Sequence, residues 1–79
     1  MSLAKNVAEN LFAVRSQRKL SQQAVADNAK LSVSYVSMLE RGARTPPLET
    51  LEALAKALGV SPVNLLEKPS GKVSRRSRR

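Results

Sequence analysis

The sequence predicts an all-α fold, a compact five-helix bundle. Three observations predict it. Apolar residues recur three and four apart in five separate stretches; the second to fifth stretches open at a serine or proline, and two of them close at a glycine. No stretch alternates apolar and polar residues over the length of a strand, and there is no internal repeat.

The first helix is expected over residues 4–18, where Val7, Leu11 and Val14 recur with Ala4 and Ala8 beside them. Leu20 and Ser21 restart the pattern. Ser21 is a good N-cap, since its side chain accepts from free amides of the next turn, and Val25, Ala26 and Ala29 form the buried face of the second helix. Ser32 caps a third helix with Val36 and Leu39 on its core side, and Gly42 ends it as a glycine just past a helix end does. Past the loop at residues 43–46, a fourth helix begins near Pro47. It carries Leu48, Leu51, Leu54, Ala55 and Leu58 as a stripe that Gly59 terminates. Ser61 and Pro62 start a short fifth helix with Val63, Leu65 and Leu66, because proline at the first helical position loses no bond.

A chain of 79 residues makes one domain at most. It has no cysteine and no histidine, which excludes a disulfide framework and a Cys/His zinc site. The same absence removes the commonest nucleophile–base pairs, so an enzyme is not expected and no cofactor or metal is assigned. No apolar run approaches membrane length and the N-terminus lacks the apolar region of a signal peptide, so a cytoplasmic location without a membrane partner is expected. The formal charge of +8 is uneven. Residues 1–67 hold eight basic and six acidic side chains, whereas residues 68–79 hold six basic and no acidic ones. The expected organisation is a folded domain over 1–67 and a basic tail over 68–79 that is disordered when free.

The second and third helices, Ser21 to Gly42, read as two short helices joined by a tight turn. A helix that reads DNA must be anchored on one face and enter the major groove with the other. Val36 and Leu39 supply the anchor, and Ala26 is small enough for the two helices to approach. Subtracting the core leaves Ser32, Val33, Ser34, Tyr35, Ser37, Met38 and Arg41 outside. Ser34 and Ser37 suit base edges or phosphates, Val33 and Met38 suit thymine methyl groups, and Tyr35 offers a hydroxyl to a phosphate. Gln22 opens the second helix, where the positive helix end favours a phosphate. The alternative is a merely solvated helix face.

Taken jointly, Arg15, Leu20-Ser21-Gln22, Val25-Ala26, Ser32, Tyr35 to Gly42, Arg44, Pro46, Leu48, Thr50-Leu51, Leu54 to Ser61 and Leu65-Leu66 resemble the XRE/Cro–C1-type helix-turn-helix family. Phage repressors and restriction–modification controller proteins belong to that family. The resemblance implies a lambda-repressor-like bundle and a double-stranded DNA-binding transcriptional regulator. It implies that Gln22 touches a phosphate, that Ser32, Val33, Ser34 and Met38 face bases, and that Arg41, Arg44 and the loop around Thr45 follow the backbone or an adjacent minor groove. Arg15 and Glu40 match a family pair that ties helix one to helix three. A phosphate contact is the alternative for Arg15, but it would leave Glu40 unpaired.

The sequence departs from the family pattern in two respects. Glycine is common where Lys19 and Lys30 stand, so either the turn geometry differs or left-handed strain is accepted to keep a cation near phosphate. Positions 33, 34, 37 and 38 hold no Arg, Asn or Gln, the side chains that make the clearest base contacts.

One such helix reads only a few base pairs, so a homodimer on a pseudo-palindrome is expected, with Pro62, Val63, Leu66 and Phe12 as candidate contacts. RNA polymerase enters as a partner that bound protein either blocks or recruits. The tail is read as a phosphate-binding rail or, alternatively, a solubilising end. Two other readings compete: a protein-interaction module of antitoxin or coactivator type, and general nucleic-acid binding led by the tail.

Overall fold

Serine begins most of the helices. In the computed structural model, which describes residues 2–68, Ser2, Ser21 and Ser32 stand in extended conformation and each accepts a hydrogen bond from a backbone N–H three residues on. These bonds, to Lys5, Ala24 and Tyr35, are 3.0–3.1 Å long and satisfy donors that a helix start leaves without partners. At Ser61 the arrangement is completed by Asn64, whose Oδ1 accepts from the Ser61 N–H at 3.1 Å. Among the described residues there are five helices: α1 Leu3–Gln17, α2 Gln22–Ala29, α3 Val33–Glu40, α4 Leu48–Leu58 and α5 Pro62–Leu66. No strand occurs among those residues. Apart from Lys68, the expected basic tail lies outside them.

The first four helices stop in the same way. Lys19, Lys30, Gly42 and Gly59 take positive φ of 57°, 61°, 74° and 77°. The residue that follows each, Leu20, Leu31, Ala43 or Val60, then donates its N–H to the carbonyl five residues back, at 2.8–3.1 Å. This closure satisfies otherwise orphaned carbonyls, and three of the four following residues, Leu20, Leu31 and Val60, pack against the core. The two lysines therefore accept left-handed strain; the turns keep the ordinary closure rather than adopting another.

The core is continuous. Val7, Leu11, Val25, Ala26, Val36, Leu39, Leu54 and Leu65 are fully buried, with Leu51, Ala55 and Leu58 nearly so. Each buried Leu or Val stabilises the fold by about 1.5–3 kcal/mol relative to exposure. α1 packs on α3 and α5, α2 on α3 and α4, and α4 on α5. The α2–α3 pair is thus backed by α1 on one side and α4 on the other.

Leu48 departs from the expected stripe, being 67% exposed. It is the first residue of α4, and side chains tilt toward the helix N-terminus, so Leu48 projects past the packed region. Val14 is only half-buried. The fifth helix is held by α1 in a way its apolar residues do not announce. Asn10 Nδ2 donates to the carbonyls of Leu65 and Glu67, at 2.9 and 2.6 Å, and Asn6 Nδ2 donates to that of Leu66 at 3.3 Å. These carbonyls end α5, where no intrahelical donor reaches them.

Candidate functional site

α3 is only eight residues long, so its orientation depends on what holds its inner face. Val36 and Leu39 are fully buried and Glu40 is 3% exposed. A buried carboxylate requires a partner, and Glu40 has several. Arg15 Nε donates to Glu40 Oε2 at 2.5 Å and Arg15 Nη2 to Oε1 at 3.0 Å, a two-pronged arrangement that fixes geometry as well as charge. The remaining prong, Arg15 Nη1, donates to the Leu20 carbonyl at 2.8 Å. The guanidinium also lies 5.5 Å from the Phe12 ring centroid. Arg15 is thereby occupied on the protein side, as the reading of an α1–α3 tie requires and a phosphate contact does not.

Gln22 joins the same cluster. Its Nε2 donates to Glu40 Oε1 at 3.0 Å. That bond uses one amide hydrogen and leaves the other, with the amide oxygen, for a ligand. Gln22 thus links the first residue of α2 to the last of α3.

The opposite side of α3 is open. Gln22, Val33, Ser34, Ser37, Met38 and Arg41 line one shallow groove of about 470 Å³. Ser34 and Val33 are exposed, while Ser37 and Met38 are half-buried. Ser32 is exposed at the N-terminal end, where its oxygen caps the helix and its hydroxyl hydrogen is still free to donate. Arg41 Nη1 donates to Ser37 Oγ at 2.9 Å, so the arginine lies back along the helix. No carboxylate lines the groove. Tyr35 is set apart from it: half-buried, it packs against the core cluster. Arg44 and Thr45 are exposed in the loop between α3 and α4 and are also outside the groove. The structure therefore gathers six of the expected surface residues in the groove, leaves Ser32 at the end of the helix, and separates Tyr35, Arg44 and Thr45 from them.

The Gln22–Glu40 bond and the folding back of Arg41 go beyond what the sequence predicts. A spacing of four on a helix was the available signal for Arg41 and Ser37. Nothing local in the sequence points from Gln22 to Glu40. Among the described residues there is no cluster of acidic groups suited to a metal, and no helix is long and apolar enough to cross a membrane.

The family model described as helix-turn-helix matches residues 11–65. The chain is 46% identical over 54 residues to the immunity repressor protein of Bacillus phage phi105, spanning 68% of this chain and 38% of the repressor. It is 42% identical over 66 residues to an uncharacterized HTH-type transcriptional regulator of Sinorhizobium fredii, spanning 84% of this chain and 86% of that protein. Among solved structures it is similar to the restriction-modification controller protein C.AhdI from Aeromonas hydrophila, with a TM-score of 0.76 at 34% identity, over 78% of this chain and 94% of that one.

Proposed function

This chain belongs to the helix-turn-helix family, and from that membership we propose that it is a transcriptional regulator that binds specific double-stranded DNA with α3 in the major groove. The observation that carries this reading is the division of α3 into two sides. Val36, Leu39 and Glu40 are buried, while Val33, Ser34, Ser37, Met38 and Arg41 share one acid-free groove with Gln22. A major groove about 12 Å wide admits such a helix. In this reading Ser32, Val33, Ser34 and Met38 face bases. Gln22, at the positive end of α2, reaches a phosphate with its remaining N–H. Arg44 and Thr45 in the following loop, and Tyr35 on α3 itself, serve the backbone.

The reading extends to a homodimer on a pseudo-palindromic site, because one short helix spans too few base pairs to specify a site alone. On α5, Val63 is 57% exposed and Pro62 and Leu66 are half-buried, an apolar surface for a second copy. A concentration-independent monomer mass in sedimentation, with and without DNA, would remove the dimer.

Selection of bound duplexes from a random library tests the whole reading, with a Ser34→Ala/Met38→Ala variant alongside. A palindromic motif that the variant alters is expected. Absence of any motif, with binding that vanishes at moderate salt, would refute it.

A further inference from the structure

We propose that Arg41 reads a guanine through the major groove, with Ser37 as the residue that positions it. The inference rests on α3 being the DNA-reading helix and adds the base it selects. It begins from a deficit. The side chains at 33, 34, 37 and 38 are valine, two serines and methionine. A serine hydroxyl donates and accepts equally well, so it discriminates weakly between bases. Valine and methionine can detect a thymine methyl group but cannot form a hydrogen-bonded pair with a base. Strong discrimination must come from a side chain that enters the same groove from elsewhere.

Arg41 meets that condition. It stands one turn beyond Ser37, and a helical side chain leans toward the N-terminus of its helix. The bond from Nη1 to Ser37 Oγ at 2.9 Å holds the guanidinium over the groove that Val33, Ser34 and Met38 line. The bond engages one of the five guanidinium hydrogens and leaves the rest, enough for a two-point contact. Guanine presents two adjacent acceptors in the major groove, N7 and O6, and a planar fork of donors matches them. Because Ser37 accepts from Arg41, its own hydroxyl hydrogen is free to point at a neighbouring acceptor. Arg15 cannot take this role, since all three of its nitrogens are engaged inside the protein. Arg44 lies in the loop and does not line the groove, and Gln22, which does line it, keeps a single N–H beside its bond to Glu40, too few for the two acceptors of guanine. Val33 is 39% exposed beside the same groove, so the guanine is expected next to a thymine.

The test selects duplexes with the full chain and with Arg41→Ala, Arg41→Lys, Ser37→Ala and Ser37→Thr, the folding of each being checked by thermal melting. The wild-type motif is expected to contain a G·C pair beside a thymine. Arg41→Ala should lower the preference for that G roughly ten- to hundredfold, the range of one two-point base contact. Arg41→Lys, which keeps the charge but not the fork, should lose most of the preference while holding the salt dependence. Ser37→Ala should relax the preference, and Ser37→Thr should retain it. Replacing the selected guanine by 7-deazaguanine removes the N7 acceptor and should weaken the wild type but not Arg41→Ala.

A motif without the G, or one unchanged in Arg41→Ala while affinity falls uniformly and the salt slope drops by about 1, overturns the assignment and makes Arg41 a phosphate contact. Neither result touches the reading of α3 as the DNA-binding helix. A wild type that selects no motif overturns both.

Discussion

Gln22 and Glu40 are hydrogen-bonded between the start of α2 and the end of α3, Nε2 to Oε1 at 3.0 Å, on the oxygen that also accepts from Arg15 Nη2. Three helices therefore meet at one buried carboxylate. Its removal strands a guanidinium and an amide together.

The loss of either ionic partner is expected to be severe. Breaking a buried pair costs about 3–5 kcal/mol, comparable to the whole stability of a small domain. Arg15→Ala and Glu40→Ala should each lower the melting temperature sharply or abolish folding at 37 °C. Combined, they should cost much less than their sum, because the second change removes a group already stranded. Additive losses in a denaturant titration would show that the two residues act independently.

Lys30→Gly should raise stability. A side chain at φ +61° clashes with its own backbone, which costs about 1–2 kcal/mol, partly offset by the greater freedom of glycine in the unfolded chain. A net gain near 1 kcal/mol moves the melting temperature up by about 4–8 °C in a domain of this size. Lys19→Gly should act the same way and add to it. Gly59→Ala should do the reverse. No atom lies within 4 Å of the added methyl, so the loss there is conformational alone. A fall in melting temperature for Lys30→Gly would mean that the lysine side chain holds the turn.

Asn10→Ala should loosen α5 specifically. It leaves the carbonyls of Leu65 and Glu67 without their side-chain donor, at about 1–3 kcal/mol for such groups. Hydrogen exchange in α5 should quicken before exchange in α3. Equal acceleration throughout would show that α5 is not separable from the rest.

Deletion of residues 69–79 removes five cations, Lys72, Arg75, Arg76, Arg78 and Arg79. If they neutralise phosphates, the slope of log affinity against log salt becomes shallower by up to about 0.9 for each. The selected motif should not change. A changed motif would give the segment a part in base choice.

Local signals were enough to read the helix boundaries. A serine before an apolar run marks a start whatever packs on it, as Ser21, Ser32 and Ser61 do. The stops at Lys19 and Lys30 were harder, because the glycine that usually marks such a turn is missing. The better signal is the apolar residue just after it, Leu20 or Leu31, which the closure delivers to the core. Leu48 misled because a stripe of spacing three and four does not say where the packed region ends. Asn10 gave no warning: an asparagine midway along a helix looks like any polar surface residue until a second helix end is brought against it. The groove on α3 was legible by subtracting the core. The direction taken by the Arg41 side chain was not, since it depends on a contact with Ser37.

α1 connects two parts of the molecule, α3 and α5. Through Asn10 it grips the end of α5, and through Arg15 it grips α3. If α5 is the surface on which two copies join, α1 acts as a gauge bar: the distance between the two reading helices is set by a rigid rod, not by a hinge. Such a dimer would tolerate a changed base at a half-site better than one base pair inserted between the half-sites.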